Sequence, residues 1–239
     1  MPTSHALSIL GTVFVLLTTL VIPLSAMQSA KRVRQPGAIP DRKSLLVSVL
    51  IQQVILIAFS LLAARAEHLA LFPAAHFGLP QGGMAATFLA VFLGTLPMRW
   101  NWRTTDQKRR MLWRIPNQPS ELGGWLLISL GAGISEELLY RGVMFQLWLR
   151  VLGSWWPAAL ICTVAFALAH SIAGWRSVGI IAVMALATHF IVQATGDLYT
   201  AMGIHFLYDL LAGAVFVYLA KRDGLVPAGR APAASGGTP

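Results

Sequence analysis

Seven stretches of this chain are too apolar for the surface of a soluble fold, and each approaches or exceeds the length that crosses a bilayer. The first, residues 6–27 (ALSILGTVFVLLTTLVIPLSAM), contains no charged side chain. A hydrocarbon core of roughly 30 Å takes about 20 such residues in a helix. Further runs follow at 45–64, 82–98, 121–152, 155–171, 177–194 and 198–220. Apolar runs of this length read as membrane-spanning helices. The expected fold is therefore all-α, a polytopic membrane bundle of about seven helices. Composition agrees. The chain is 11% charged, against about 25% in soluble domains, and its mean hydropathy is +0.66.

The fourth run is the odd one. As a single helix at about 1.5 Å per residue it reaches roughly 48 Å, more than a span needs. It either extends past the lipid or breaks near Gly131-Ala132-Gly133. Two glycines at this spacing favour close helix packing over ligand binding.

Charge sets the expected topology. The formal charge of +9 does not point to nucleic acid, because no recognition module accompanies it. The basic residues gather in short loops instead: Lys31, Arg32 and Arg34 after the first run, then Arg99, Arg103, Lys108, Arg109, Arg110 and Arg114 after the third. Lys221 and Arg222 close the last run. By the positive-inside rule these loops are cytoplasmic, which places the N-terminus outside and the C-terminus inside, in the plasma membrane of a bacterium. Trp100, Trp102 and Trp113 are expected as interfacial anchors. The chain divides into N-terminal helices and basic loops (1–114), a membrane core (115–222) and a disordered Pro/Ala/Gly-rich tail (223–239). The single cysteine, Cys162, excludes an internal disulfide and a cysteine-rich zinc site, and reads as a small buried hydrophobe.

Against this background the run Ser135-Glu136-Glu137-Leu138-Leu139-Tyr140-Arg141 is costly. A charge at mid-bilayer costs roughly 2.5–3.5 kcal/mol on insertion scales, so such residues face the bundle interior and serve a function. Glu137 and Arg141 are four apart, in the favourable acid-before-base order, and can neutralise each other. That leaves Glu136 for proton transfer. His170 ends another apolar run one turn after Phe166. His205 and Asp209, also four apart, share one face of the last span. Two imidazoles with two or three carboxylates suffice to activate a water, directly or through a bound divalent metal such as zinc. His189 and Gln193 share a face of the sixth run but belong to no motif, and His189 is read as structural. His5, His68 and His76 read as solvated. There is no HExxH, no GxSxG elbow and no phosphate-cradling glycine loop.

In order along the chain, EELLYR (136–141), FALAH (166–170) and HFLYD (205–209) resemble the EExxxR, FxxxH and HxxxN/D motifs of the CPBP intramembrane proteases, also called the CAAX protease and bacteriocin-processing or Abi family. The resemblance covers roughly residues 115–220. It implies that Glu136 and His170 activate the attacking water, that His205 and Asp209 stabilise the oxyanion, and that Glu137, Arg141 and Phe166 support them. The family is commonly called metalloprotease, although a metal-free glutamate mechanism is also argued for relatives; any metal would fall to Glu136, His170, His205 and Asp209. The CAAX endopeptidases resemble HxxxN at the last motif, where an amide donates a hydrogen bond. An ionised Asp209 cannot donate, so it is protonated, orients His205, or helps hold a metal.

The reading is thus an intramembrane endopeptidase acting on membrane-associated peptides of prenylated or CAAX-like type, with the bilayer and that peptide as its partners. A non-proteolytic immunity or scaffold protein binding a peptide in the same cavity is the alternative. A small proton-coupled transporter is disfavoured by the lack of repeat symmetry.

Overall fold

A computed structural model of the chain describes residues 6–33, 42–73, 78–116 and 121–225. His5, His76, most of the first basic loop and nearly all of the tail lie outside the described residues. Every regular element among the described residues is helical. The helices are α1 (Ile9–Arg32), α2 (Arg42–Ala66), α3 (Leu79–Gly94), α4 (Leu96–Asn101), α5 (Thr105–Leu112), α6 (Leu122–Leu152), α7 (Trp155–Ala169), α8 (Trp175–Thr195) and α9 (Tyr199–Arg222).

Among the described residues six segments are long and apolar enough to cross a membrane: α1, α2, α3 with α4, α6, α8 and α9. The fifth expected span, α7, is apolar but only 15 residues long. The third is interrupted at Thr95, where Pro97 restarts the helix as α4. Residues 28–32, expected in the basic loop, continue α1 instead. The protein is an integral, multi-pass membrane protein, and its leucines, isoleucines and valines face outward along most spans, as lipid-facing residues should.

Polar staples mark the two ends of the bundle. At one end Glu67 accepts from the Ser8 backbone N–H and hydroxyl, at 2.8 and 2.6 Å. Arg150 also pairs with Glu67 at 2.6 Å. At the other end Arg42 pairs with Glu121 at 2.9 Å, and Asp223 accepts from Trp100 Nε1 at 2.6 Å and Lys108 Nζ at 2.9 Å. Its three donors, Lys108 first, then Trp100 and Arg222, hold the Asp223 carboxyl well below the usual carboxylate range. Trp100 is consequently not the expected interfacial anchor. It is fully buried against Phe216, because its indole N–H has a protein partner. Trp102 is exposed, whereas Trp113 sits under the Arg42 guanidinium.

The fourth span does not break at Gly131–Gly133. It runs unbroken to Leu152, with a π-helical stretch at Leu138–Met144 directly after the paired glutamates. The glycines serve packing. A Cβ on Gly133 would lie 2.8 Å from the Met202 carbonyl oxygen and 3.0 Å from the Phe206 nitrogen, so α6 and α9 touch backbone to backbone there. Trp125 fills the place of a side chain at Gly213 on the same interface. This contact lies one turn before Glu137 and beside His205, and it sets the separation of the two polar motifs. Cys162 is fully buried in the apolar core, as expected.

Gly133→Ala should therefore destabilise the protein by about 1–3 kcal/mol, the usual cost of overpacking. Gly203→Ala, which meets nothing within 4 Å, should leave the melting temperature in detergent almost unchanged. Equal melting of the two variants would refute this account of the interface.

Candidate active site

The α6 helix brings Glu136 and Glu137 to mid-bundle, and the π-helical stretch that follows keeps Arg141 on the Glu137 side. Both members of this pair are buried, and Arg141 Nη1 donates to Glu137 Oε1 at 3.1 Å. Arg141 Nη2 donates to the Ala185 carbonyl of α8 at 3.1 Å. The expected ion pair is present, but Glu137 does more than neutralise arginine. The same Oε1 accepts from His205 Nδ1 at 2.8 Å. A carboxylate cannot donate, so Nδ1 carries the hydrogen and Nε2 is directed to the opposite side of the ring.

His170 is fixed by a different device. It caps the C-terminus of α7, where the last carbonyls of a helix lack intrahelical donors. Its Nδ1 donates to the Phe166 carbonyl at 2.8 Å. The F-to-H spacing of the second motif is thus a helix-end hydrogen bond that leaves Nε2 free. That Nε2 lies 3.5 Å from Glu136 Oε2, and His205 Nε2 lies 3.8 Å from the same oxygen. Glu136 Oε2 is buried and has no hydrogen-bond partner. Asp209 Oδ2 stands 3.6 Å from His205 Nε2. Of the roles left open for Asp209, orienting His205 through Nδ1 is taken by Glu137; Asp209 instead faces Nε2.

Phe166 is the platform beneath the cluster. Arg141 lies over its ring at 4.5 Å, Tyr140 meets it edge-on at 5.1 Å, and the His170 and His205 rings lie 4.5 and 6.2 Å away. The structure therefore gathers all seven residues singled out in the three motifs. It adds Tyr140, Ala185 and, beside Asp209, Tyr208 bonded to Arg99 at 2.6 Å. Tyr208 lies inside the third motif and could have been noticed. Arg99 reads in sequence only as one more positive loop charge.

His189 stays outside the site. It is buried between Phe145 and Trp155, and lines a cavity of about 300 Å³ on the far side of Arg141. A second, apolar cavity of about 500 Å³ runs between α3 and α8. Neither is lined by Glu136, His170, His205 or Asp209.

Two imidazoles and two carboxylates are the chemistry of a zinc-binding set. As placed, however, no group of three or more His, Cys, Asp or Glu among the described residues has the geometry to hold a metal ion.

Residues 118–211, a stretch containing all three motifs and every residue of the cluster, match the family model described as type II CAAX prenyl endopeptidase, Rce1-like. The match spans 94 of the chain's 239 residues, and over them the membrane core is similar to this family. The family is one of CAAX-type intramembrane proteases, which makes hydrolysis the activity it suggests. No curated protein and no solved structure matches the chain.

Arg141→Ala would leave Glu137 buried with its main counter-charge gone, at a cost of about 3–5 kcal/mol. We expect a large fall in melting temperature and in the yield of folded protein. An Arg141→Ala variant that melts like the wild type would show that the pair does not hold the core together.

Proposed function

We propose that the protein is an intramembrane endopeptidase that cleaves membrane-associated peptides with a water activated by Glu136 and His170. The observation that carries this reading is Glu136 Oε2, buried without a hydrogen-bond partner yet 3.5 Å from His170 Nε2 and 3.8 Å from His205 Nε2. A water at this junction reaches both a carboxylate and an imidazole nitrogen whose lone pair is available.

Glu136 takes one proton as the water oxygen bonds to the scissile carbonyl carbon, with His170 Nε2 accepting from the other O–H and aiming the nucleophile. The carbonyl oxygen becomes an oxyanion facing His205 Nε2. Because Nδ1 already donates to Glu137, a donating Nε2 makes this ring the imidazolium. Glu137 and Asp209 are the anions that balance it. Collapse of the tetrahedral intermediate breaks the C–N bond, and the proton held by Glu136 passes to the departing amine. Phe166 and Arg141 touch no substrate in this scheme; they position the rings.

The charge distribution supports an orientation with the Asp223 end in the cytoplasm of a bacterium. That end carries Arg42, Arg99, Arg103, Lys108, Lys221 and Arg222, whereas the Glu67 end carries Arg65 and Arg150.

With a farnesylated CAAX-type reporter peptide, Glu136→Gln and His170→Ala should each lower kcat by roughly 10²–10⁴ while melting temperature is kept. Full cleavage by either variant would falsify the scheme. Asp209→Asn should lower kcat more than it changes KM, because it removes a charge and not a binding contact. Elemental analysis with chelator titration then separates two chemistries. Full activity in metal-free protein assigns the water to Glu136 and His170 alone, whereas loss on chelation with recovery on added zinc assigns it to an ion held by these residues.

A further inference from the structure

Two arginines at the end of the third span have no part in the chemistry above. Arg99 is only 7% exposed. Its Nη1 donates to Tyr208 Oη at 2.6 Å, and its Nε is buried without a partner. One turn further on, Arg103 donates through Nη1 to the Arg99 carbonyl oxygen. Its Nη2 donates to Ser177 Oγ at 3.2 Å, and its guanidinium lies 5.7 Å from the Phe216 ring centroid.

Neither arginine is ion-paired among the described residues. The arginine and lysine pairs are those of Arg42, Lys108, Arg141, Arg150 and Arg222. Burial and then the neighbouring charge of Arg99 lower the Arg103 pKa to about 10. Two cations are thus held together, half out of water, with no acid in ion-pair contact among the described residues. A protein pays for such an arrangement unless an anion arrives.

The position narrows the choice of anion. Tyr208 immediately precedes Asp209, and Arg99 lies within electrostatic reach of the Asp209 carboxylate without forming an ion pair with it. With Nη1 engaged by Tyr208, the Nε–Nη2 edge of Arg99 remains. That edge offers two parallel N–H donors, the pattern that a carboxylate accepts in bidentate fashion. The Ser177 contact places Arg103 beside the start of α8, just past the turn that follows His170.

We propose that Arg99 and Arg103 form a carboxylate-binding subsite that holds a carboxylate of the peptide substrate, its free C-terminus or an acidic side chain, beside the catalytic cluster. This rests on the peptidase reading of the site. The subsite sets which peptides are bound and contributes nothing to water activation.

The test uses the full-length protein in nanodiscs of zwitterionic lipid. Three farnesylated reporter peptides are compared: one with a free C-terminal carboxylate, its carboxamide, and a carboxamide carrying one glutamate near the terminus. The wild type should show a KM at least about ten-fold lower for an acidic peptide than for the plain carboxamide, with similar kcat, as loss of a charge-assisted bond implies. The first and third peptides show which kind of carboxylate is read. Arg103→Gln should raise KM for the acid to that of the amide with kcat unchanged, and Arg103→Lys should keep part of the preference. Arg99→Gln also removes the bond to Tyr208, so Arg103 carries the test.

Equal KM values for acid and amide in the wild type, with cleavage intact, overturn the subsite and leave the peptidase reading standing. If no peptide is cleaved, anisotropy binding to Glu136→Gln protein decides. Tighter binding of an acid that is lost in Glu136→Gln/Arg103→Gln supports the subsite although the reaction has failed. Equal or absent binding overturns it, as does displacement by phosphatidylglycerol without any discrimination between peptides.

Discussion

Glu137 is the residue on which the site depends. One of its carboxylate oxygens accepts from Arg141 at 3.1 Å and from His205 at 2.8 Å, at a place where almost no solvent reaches. In a low-dielectric interior an unpaired charge is expensive, whereas a charge with two donors is tolerated. That single anion therefore ties the fourth span to the last and fixes the ring of His205. It also frees Glu136, its immediate neighbour, from any structural duty. Adjacent helical positions point about 100° apart, so the two glutamates serve different partners although they stand side by side in sequence.

Backbone packing makes this arrangement possible. At Gly133 the absence of a side chain lets α6 meet the α9 backbone at Met202 and Phe206, next to His205. The π-helical stretch begins directly after Glu137 and contains Arg141; such departures from α-helix geometry recur at functional sites. Phe166 then supplies a flat apolar floor on which the arginine and both imidazoles rest. The site is a set of polar groups held at fixed spacing by an apolar frame.

Much of the fold was legible because lipid restricts the choices. Apolar runs of spanning length admit one kind of element, so α1, α2, α6, α8 and α9 were found within a few residues of their ends. Arg141 and Glu137 were legible as a pair from their four-residue spacing alone. Trp100 was misread because the rule that places tryptophan at an interface knows nothing of a partner such as Asp223, 123 residues away. The fourth span's length left two outcomes open, extension past the lipid or a break at Gly131–Gly133; the helix continues to Leu152, and Gly133 serves the packing expected of it.

The sequence by itself determined that this is a helical membrane protein, that three motifs carry its polar groups, and which family its core resembles. The first two follow from local periodicity and from the cost of charge in lipid, both written residue by residue, and the resemblance rests on the three motifs and their order. Only the tertiary structure decided that Glu137 orients His205, that a carbonyl of the second motif aims His170, and that Asp209 faces His205 Nε2. It also decided that two arginines without an acid partner stand beside that nitrogen's helix. These are relations between side chains far apart in the chain. Their distances are set by how closely the helices pack, which no spacing along one helix can state.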